Sequence, residues 1–181
     1  MIEVADLWES LAGSSVFANL KEHELDVVAG LVREGELPSG QYLFRQHDLS
    51  DCMYIIRSGS LGVERELSPR VRVQIAQVGP RECLGEMGLV SRAPRTLDAL
   101  ALEAVRFWTL SQADFEKLCA HEIHLGAQVL HNIAVVLCGR LVATNEELAR
   151  LLVSFESVVL DPTQEALFRK VWTKSFRITL G

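Results

Sequence analysis

The chain is poor in the features that would commit it to several common fates. It has four cysteines, Cys52, Cys83, Cys119 and Cys138, and no two of them form a C-x-x-C pair. That pattern excludes a disulfide framework and a structural zinc site, and it points to reduced, mostly buried thiols. There is no basic block. Lys and Arg number 18 against 24 Asp and Glu, a net charge of −6. Displacing the counterions of DNA needs concentrated positive charge, so nucleic acid is a poor partner for this composition. The longest apolar run near position 135, Ile133 to Cys138, is far shorter than a membrane span. The N-terminus, MIEVADLWES, is acidic and lacks the basic and apolar regions of a secretion signal, so a cytoplasmic location is the expectation. No internal repeat or low-complexity tract is present. No Ser/His/Asp or Cys/His motif argues for an enzyme. His121-Glu122-Ile123-His124 has the wrong spacing for a zinc helix, whose histidines lie one turn apart. His131 and Cys138, seven apart, read as packing residues.

What is present is a soluble globular composition, 49 % apolar and 23 % charged, over 181 residues. That length suffices for one domain with a real core and an extra element. Asn19 with Glu22 three places on predicts a helix start, and Leu25, Val28, Leu31 and Val32 follow at helical spacing. This helix is expected to end near Gly35 and Pro38. From Gln41 to Leu110 the pattern changes to short β-rich runs: Met53–Arg57, Leu61–Arg65, Val71–Val78 and Ala104–Leu110. Val71, Val73 and Ile75 alternate with Arg72 and Gln74, the period of a half-buried strand. Glycines at 40, 59, 79 and 85 fall between the runs, where turns require positive φ. Many short strands with glycine turns predict a barrel or jelly roll.

Ser111 with Asp114 marks a second helix start, running to about Cys119. Ala127, Leu130, Ala134, Leu137, Leu141, Thr144, Leu148, Leu151 and Phe155 then recur three and four apart. This is a coiled-coil seam of about four heptads, longer than a core helix needs. Val129, Ile133 and Val136 add a second apolar flank. One face of such a helix can pack on its own barrel and another on a partner helix. Asp161-Pro162 predicts a short final helix to about Thr173, with Phe168, Val171 and Trp172 as its docking residues.

The segment Gly85 to Ala101, GEMGLVSRAPRTLDALA, carries the chemistry. A glycine turn precedes Glu86, an apolar helical turn follows, and Pro94-Arg95 comes nine residues after the glutamate. The start of a helix offers backbone N–H groups to an anion. Arg95 adds a planar charged fork for phosphate oxygens, and Glu86 can accept from a ribose hydroxyl. Together they would grip a sugar phosphate from both ends.

These residues resemble the phosphate-binding cassette of cyclic-nucleotide-binding domains. The likeness extends over about residues 15–155. Phe17–Leu20 resembles the family's entry helix, Gly40 with Asp51–Gly59 its second and third strands, and Val136–Asn145 the long helix of the catabolite activator branch. The resemblance implies an α+β fold: a β jelly-roll barrel, or double-stranded β-helix, of eight strands, with N-terminal helices and a long C-terminal dimerisation helix. It implies residues 1–157 as the effector domain, with a helix over about 123–157, and 158–181 as a short extension. The ligand would be cAMP or cGMP, with no other cofactor and no metal. By this likeness Gly85, Glu86 and Met87 form the cassette turn, with Glu86 on the ribose 2′-hydroxyl. Arg95 pairs with the cyclic phosphate, and Thr96 adds a hydroxyl. Arg140 braces Glu86 and the phosphate side. Thr144 and Asn145 stand at the purine, although Thr144 also reads as a tolerated small residue in the seam. Two positions depart from the family: Leu97 replaces an alanine near the phosphate, and Asp98 stands near usually neutral positions. A barrel that has lost its ligand is the alternative these departures leave open. Activator relatives carry a helix-turn-helix module after the long helix. The 26 residues after Phe155 are too few for one. The expected output is contact with an unknown protein partner, by a parallel homodimer that touches neither DNA nor membrane.

Overall fold

A computed structural model describes residues 4–68, 71–91 and 93–157. The expected helix over 161–173 lies outside the described residues, as does the side chain of Phe155. Two compact units are present, 1–137 and 138–181.

In the first unit, helix α1 (Val4–Ala12), a 3-10 turn at Ser15–Phe17 and helix α2 (Glu22–Ala29) precede the strands. Eight strands follow: β1 (Arg33–Leu37), β2 (Tyr42–Phe44), β3 (Cys52–Ser58), β4 (Leu61–Ser68), β5 (Val71–Val78), β6 (Cys83–Leu84), β7 (Asp98–Ala101) and β8 (Val105–Ser111). The short helix α3 (Met87–Val90) lies between β6 and β7. All pairings are antiparallel, in two four-stranded sheets ordered β1-β8-β3-β6 and β2-β7-β4-β5. This is the expected jelly-roll architecture. Helix α4 (Gln112–His121) and helix α5 (Ile123–Ser157) complete the described chain.

Alternation along β3 and β8 divides the interior into two cores. Met53, Ile55, Trp108 and Leu110 face the helices, where they join Leu11, Phe17, Val28, Phe115, Leu125, Val129 and Ile133. Ile56, Val105 and Phe107 face into the barrel with Leu61, Val63, Ala99 and Ala101. Each fully buried aliphatic or aromatic side chain stabilises the fold by about 1.5–3 kcal/mol relative to an exposed one.

Four local expectations are corrected. Helix α2 is capped at Lys21, not Asn19: the Lys21 N–H donates to Glu24 Oε2 at 2.7 Å, while Asn19 takes a left-handed φ of 64°. The helix ends at Ala29, and Gly35 lies inside β1. A Cβ there would come within 2.5 Å of the Phe107 ring on the paired strand, so the missing side chain makes room for the aromatic. Gly40, Gly59 and Gly85 have positive φ as expected, but Gly79 does not. Finally, β5 is not half-buried: every residue from Val71 to Gln77 is exposed, and only Val78 is buried.

Helix α5 spans 35 residues, as its periodicity predicts. The stretch Ile123–Leu151 is long and apolar enough, by length and composition alone, to cross a bilayer. Its early turns nevertheless serve the protein interior: the flank residues Val129 and Ile133 are buried with Leu125. The seam residues Ala127, Leu130 and Ala134 are exposed, whereas Leu137, also in the seam, packs on the core with the flank residue Val136.

Candidate functional site

The candidate site is built where β6 ends and β7 begins. Gly85 follows β6 with φ +78°, and a Cβ on it would lie 2.2 Å from Arg95 Nη1. The missing side chain therefore admits the guanidinium. Gly88 N–H bonds to Gly85 O at 2.9 Å and Leu89 N–H to Glu86 O at 3.1 Å, closing the turn that becomes α3. Those two donors are consumed within the turn, so the expected row of open helix-start amides is shorter than the sequence suggests. Met87 is exposed at the head of α3, and Glu86 is buried at its cap position.

Arg95 is 5 % exposed. Its backbone is fixed on both sides: its N–H donates to Asp48 O at 2.9 Å, and its carbonyl accepts from His47 N–H at 2.8 Å. Its Nη2 donates to Cys52 O at 2.7 Å and lies 3.4 Å from Cys52 Sγ. Nη1 reaches Gly85 O at 3.3 Å. The guanidinium carbon stands 4.4 Å from the Phe44 ring centre and 5.6 Å from that of Tyr54. Such cation–π contact holds a desolvated guanidinium in a fixed orientation. Buried Nε has no hydrogen-bond partner among the described residues. An arginine that is buried, oriented and left with one N–H unsatisfied suits an incoming anion. Burial pushes the neighbouring Cys52 thiol and the Tyr54 phenol upward, so both stay neutral near pH 7 and add no negative charge beside Arg95.

The structure thus brings Arg95, in the loop before β7, against Gly85, with Glu86 and Met87 following Gly85 into α3. Thr96 follows Arg95 with an exposed side chain. Arg140, Thr144 and Asn145 belong to the second unit, on the exposed surface of α5, where Thr144 Oγ1 donates to Arg140 O at 2.8 Å.

The two departures have separate fates. Leu97 is partly buried and packs against the barrel core. Asp98 is buried and compensated: Oδ1 accepts Gln46 N–H at 2.6 Å, and Oδ2 lies 3.6 Å from Arg72 Nη1. Sequence reasoning missed Phe44, Tyr54 and Cys52 as the surroundings of Arg95. They lie on β2 and β3, far from it in sequence, and no local pattern signals that contact. A separate open cleft of about 420 Å³, lined by Arg45, His47, Glu66, Arg72 and Asp98 among others, adjoins the loop that anchors Arg95.

Residues 34–122 match the cyclic nucleotide-binding domain family. The chain carries a cyclic nucleotide-binding domain. A cyclic AMP receptor protein from Thermus thermophilus is 31 % identical over 146 residues, which cover 81 % of this chain and 65 % of the relative. A cAMP-dependent protein kinase regulatory subunit from Yarrowia lipolytica is 26 % identical over 122 residues, 67 % of this chain and 31 % of that one. The N-terminal domain of a transcriptional regulator from Streptomyces coelicolor A3(2) superposes with a TM-score of 0.65 at 27 % identity, covering 77 % of this chain and 94 % of that structure. The chain spans less than two thirds of the length of these two curated relatives. The cyclic nucleotide-binding domain assignment covers the barrel from β1 to α4 and contains the whole of the Gly85–Arg95 constellation.

Proposed function

We propose that this domain is a cyclic-nucleotide sensor, not an enzyme, which binds cAMP or cGMP at the Gly85–Thr96 cassette and signals by contact with another protein. The observation that carries the reading is Arg95, buried and stacked on Phe44 with its Nε unsatisfied, one turn from buried Glu86. In this reading Arg95 holds the cyclic phosphate, with Thr96 adding a hydroxyl, and Glu86 accepts from the ribose 2′-hydroxyl beside Gly85 and Met87. Arg140, Thr144 and Asn145 are assigned to the same ligand on the strength of the family resemblance. The outward seam of α5 supports a homodimer through that helix, the net charge of −6 argues against DNA, and the α5 residues buried in the first unit favour a core helix of a cytoplasmic protein over a membrane span.

Calorimetric titration of cAMP and cGMP into the native protein tests this. Hydrogen bonds to a charged group contribute roughly 1.5–3 kcal/mol. Arg95→Ala should therefore weaken binding by about tenfold to a hundredfold, and Glu86→Gln, which keeps shape and loses charge, by less. No heat from either nucleotide at millimolar concentration would sink the sensor reading. Leu97, packed against the barrel core where the family usually has alanine, supports a second reading in which the barrel is kept as a ligand-free dimeric interaction module. The same titration separates the two.

A further inference from the structure

Strand β5 ends the sheet β2-β7-β4-β5, and among the described residues its only ladder partner is β4. It is eight residues long. Val71, Val73 and Ile75 are 48 %, 43 % and 56 % exposed. An antiparallel edge presents alternate N–H and C=O groups outward, and natural edges are usually guarded by lysine, proline or short length. Val71–Val78 contains neither lysine nor proline. Its single charge, Arg72, is turned back onto Glu66, Asp98 and the Tyr42 hydroxyl, so it does not guard the rim. The register of β5 against β4 shifts at two places: Ile75 is the extra residue between the pairs Val63–Ala76 and Glu64–Gln74, and β4 has one extra residue between the pairs Glu66–Arg72 and Ser68–Val71, so Arg72–Gln74 is the regular stretch, centred on Val73.

We infer that this edge pairs with the same edge of a second copy of the chain, antiparallel about a two-fold axis at Val73. The free rim calls for a strand, and the pattern of Val71–Ile75 is its own complement. A two-fold at Val73 sets Val73 against Val73, Val71 against Ile75, and Arg72 against Gln74. Every apolar residue of the segment then meets an apolar residue, and no like charges face each other. A shift by one residue would place apolar against polar positions along the whole segment. A two-fold at Gln74 would centre the pairing off the regular stretch Arg72–Gln74. The contact is separate from the α5 seam and independent of nucleotide binding.

The test is sedimentation velocity on the full chain. Val73→Lys and Val73→Glu each place like charges across the axis and should lower the weight-average mass about twofold. Mixing the two variants in equal amounts should restore it, because Lys then faces Glu. Val73 is exposed, and unchanged far-ultraviolet circular dichroism would show that both variants keep the fold. The same substitutions in a Leu141→Asp, Leu148→Asp background should lower the mass again, since the helix seam is then absent. Equal masses for native protein and single variants would overturn the inference, as would a loss that mixing does not restore.

Discussion

Gly85 occupies a left-handed conformation with Arg95 Nη1 where a methyl group would go. Alanine there costs about 1–2 kcal/mol from backbone conformation alone, and it also displaces the guanidinium. Gly85→Ala is therefore expected to lower stability in urea denaturation by at least that amount. Under the proposed function it should also weaken nucleotide binding about as much as Arg95→Ala in the same titration. Leu97 makes the opposite prediction. It is half-buried against the barrel core. Leu97→Ala should cost about 2 kcal/mol of stability, near the low end for leucine truncation, and should tighten binding of cAMP or cGMP. Unchanged affinity would show that the leucine does not crowd the ligand. Asp98, by contrast, is matched by Gln46 N–H and Arg72, which removes the repulsion its charge would otherwise exert on a phosphate.

Helix α4 shows how much a single cap controls. Ser111 Oγ accepts Asp114 N–H at 3.1 Å and donates to Asp114 Oδ2 at 2.7 Å, while Lys117 Nζ reaches Asp114 Oδ1 at 2.9 Å. The hydrogen bonds from Lys117 and then Ser111 hold the Asp114 carboxyl below its usual value. A lowered folded value means the stabilisation is fully present above the unfolded carboxylate range near pH 4 and is lost as pH falls through the folded value. Ser111→Ala should cost about 1 kcal/mol, and its urea midpoint should fall less steeply below pH 4 than that of the native chain. This cap was legible because its residues are local. Strands β3, β4, β5 and β8 were legible from alternation and glycine, and α5 from its heptads. Strand β1 was not: Arg33-Glu34-Gly35-Glu36 has no apolar alternation, and its glycine is explained only by Phe107. The exposure of β5 was also hidden, since period two defines two faces but not what covers them. In the site, Gly85, Glu86 and Arg95 were readable from spacing, whereas the aromatic bed under Arg95 needed the fold.

For the whole molecule, the exposed row Leu130, Leu141, Leu148 and Leu151 on α5 is the surface that the proposed homodimer would use. Under the proposed function, Leu141→Asp with Leu148→Asp would bury charges at the contact between the two helices and should dissociate the dimer. Sedimentation of the double variant at concentrations where the native chain associates checks this. A native chain that stays monomeric at high concentration would reduce the seam to a surface feature. The two sheets carry a further consequence, for biosynthesis. Strand β1 pairs with β8 and β2 with β7, so the earliest strands close on the latest. Arg33 and Thr109 are partners although about 75 residues separate them, the kind of non-local pairing that slows folding. At a synthesis rate of about 5–20 residues per second, β1 leaves the ribosome roughly 4–15 s before its partner exists. The nascent barrel must pass that interval with its strand edges open, and a chain stopped before Val105 would have every strand of the sheet β2-β7-β4-β5 but would leave β1 and β3 without the strand that joins them.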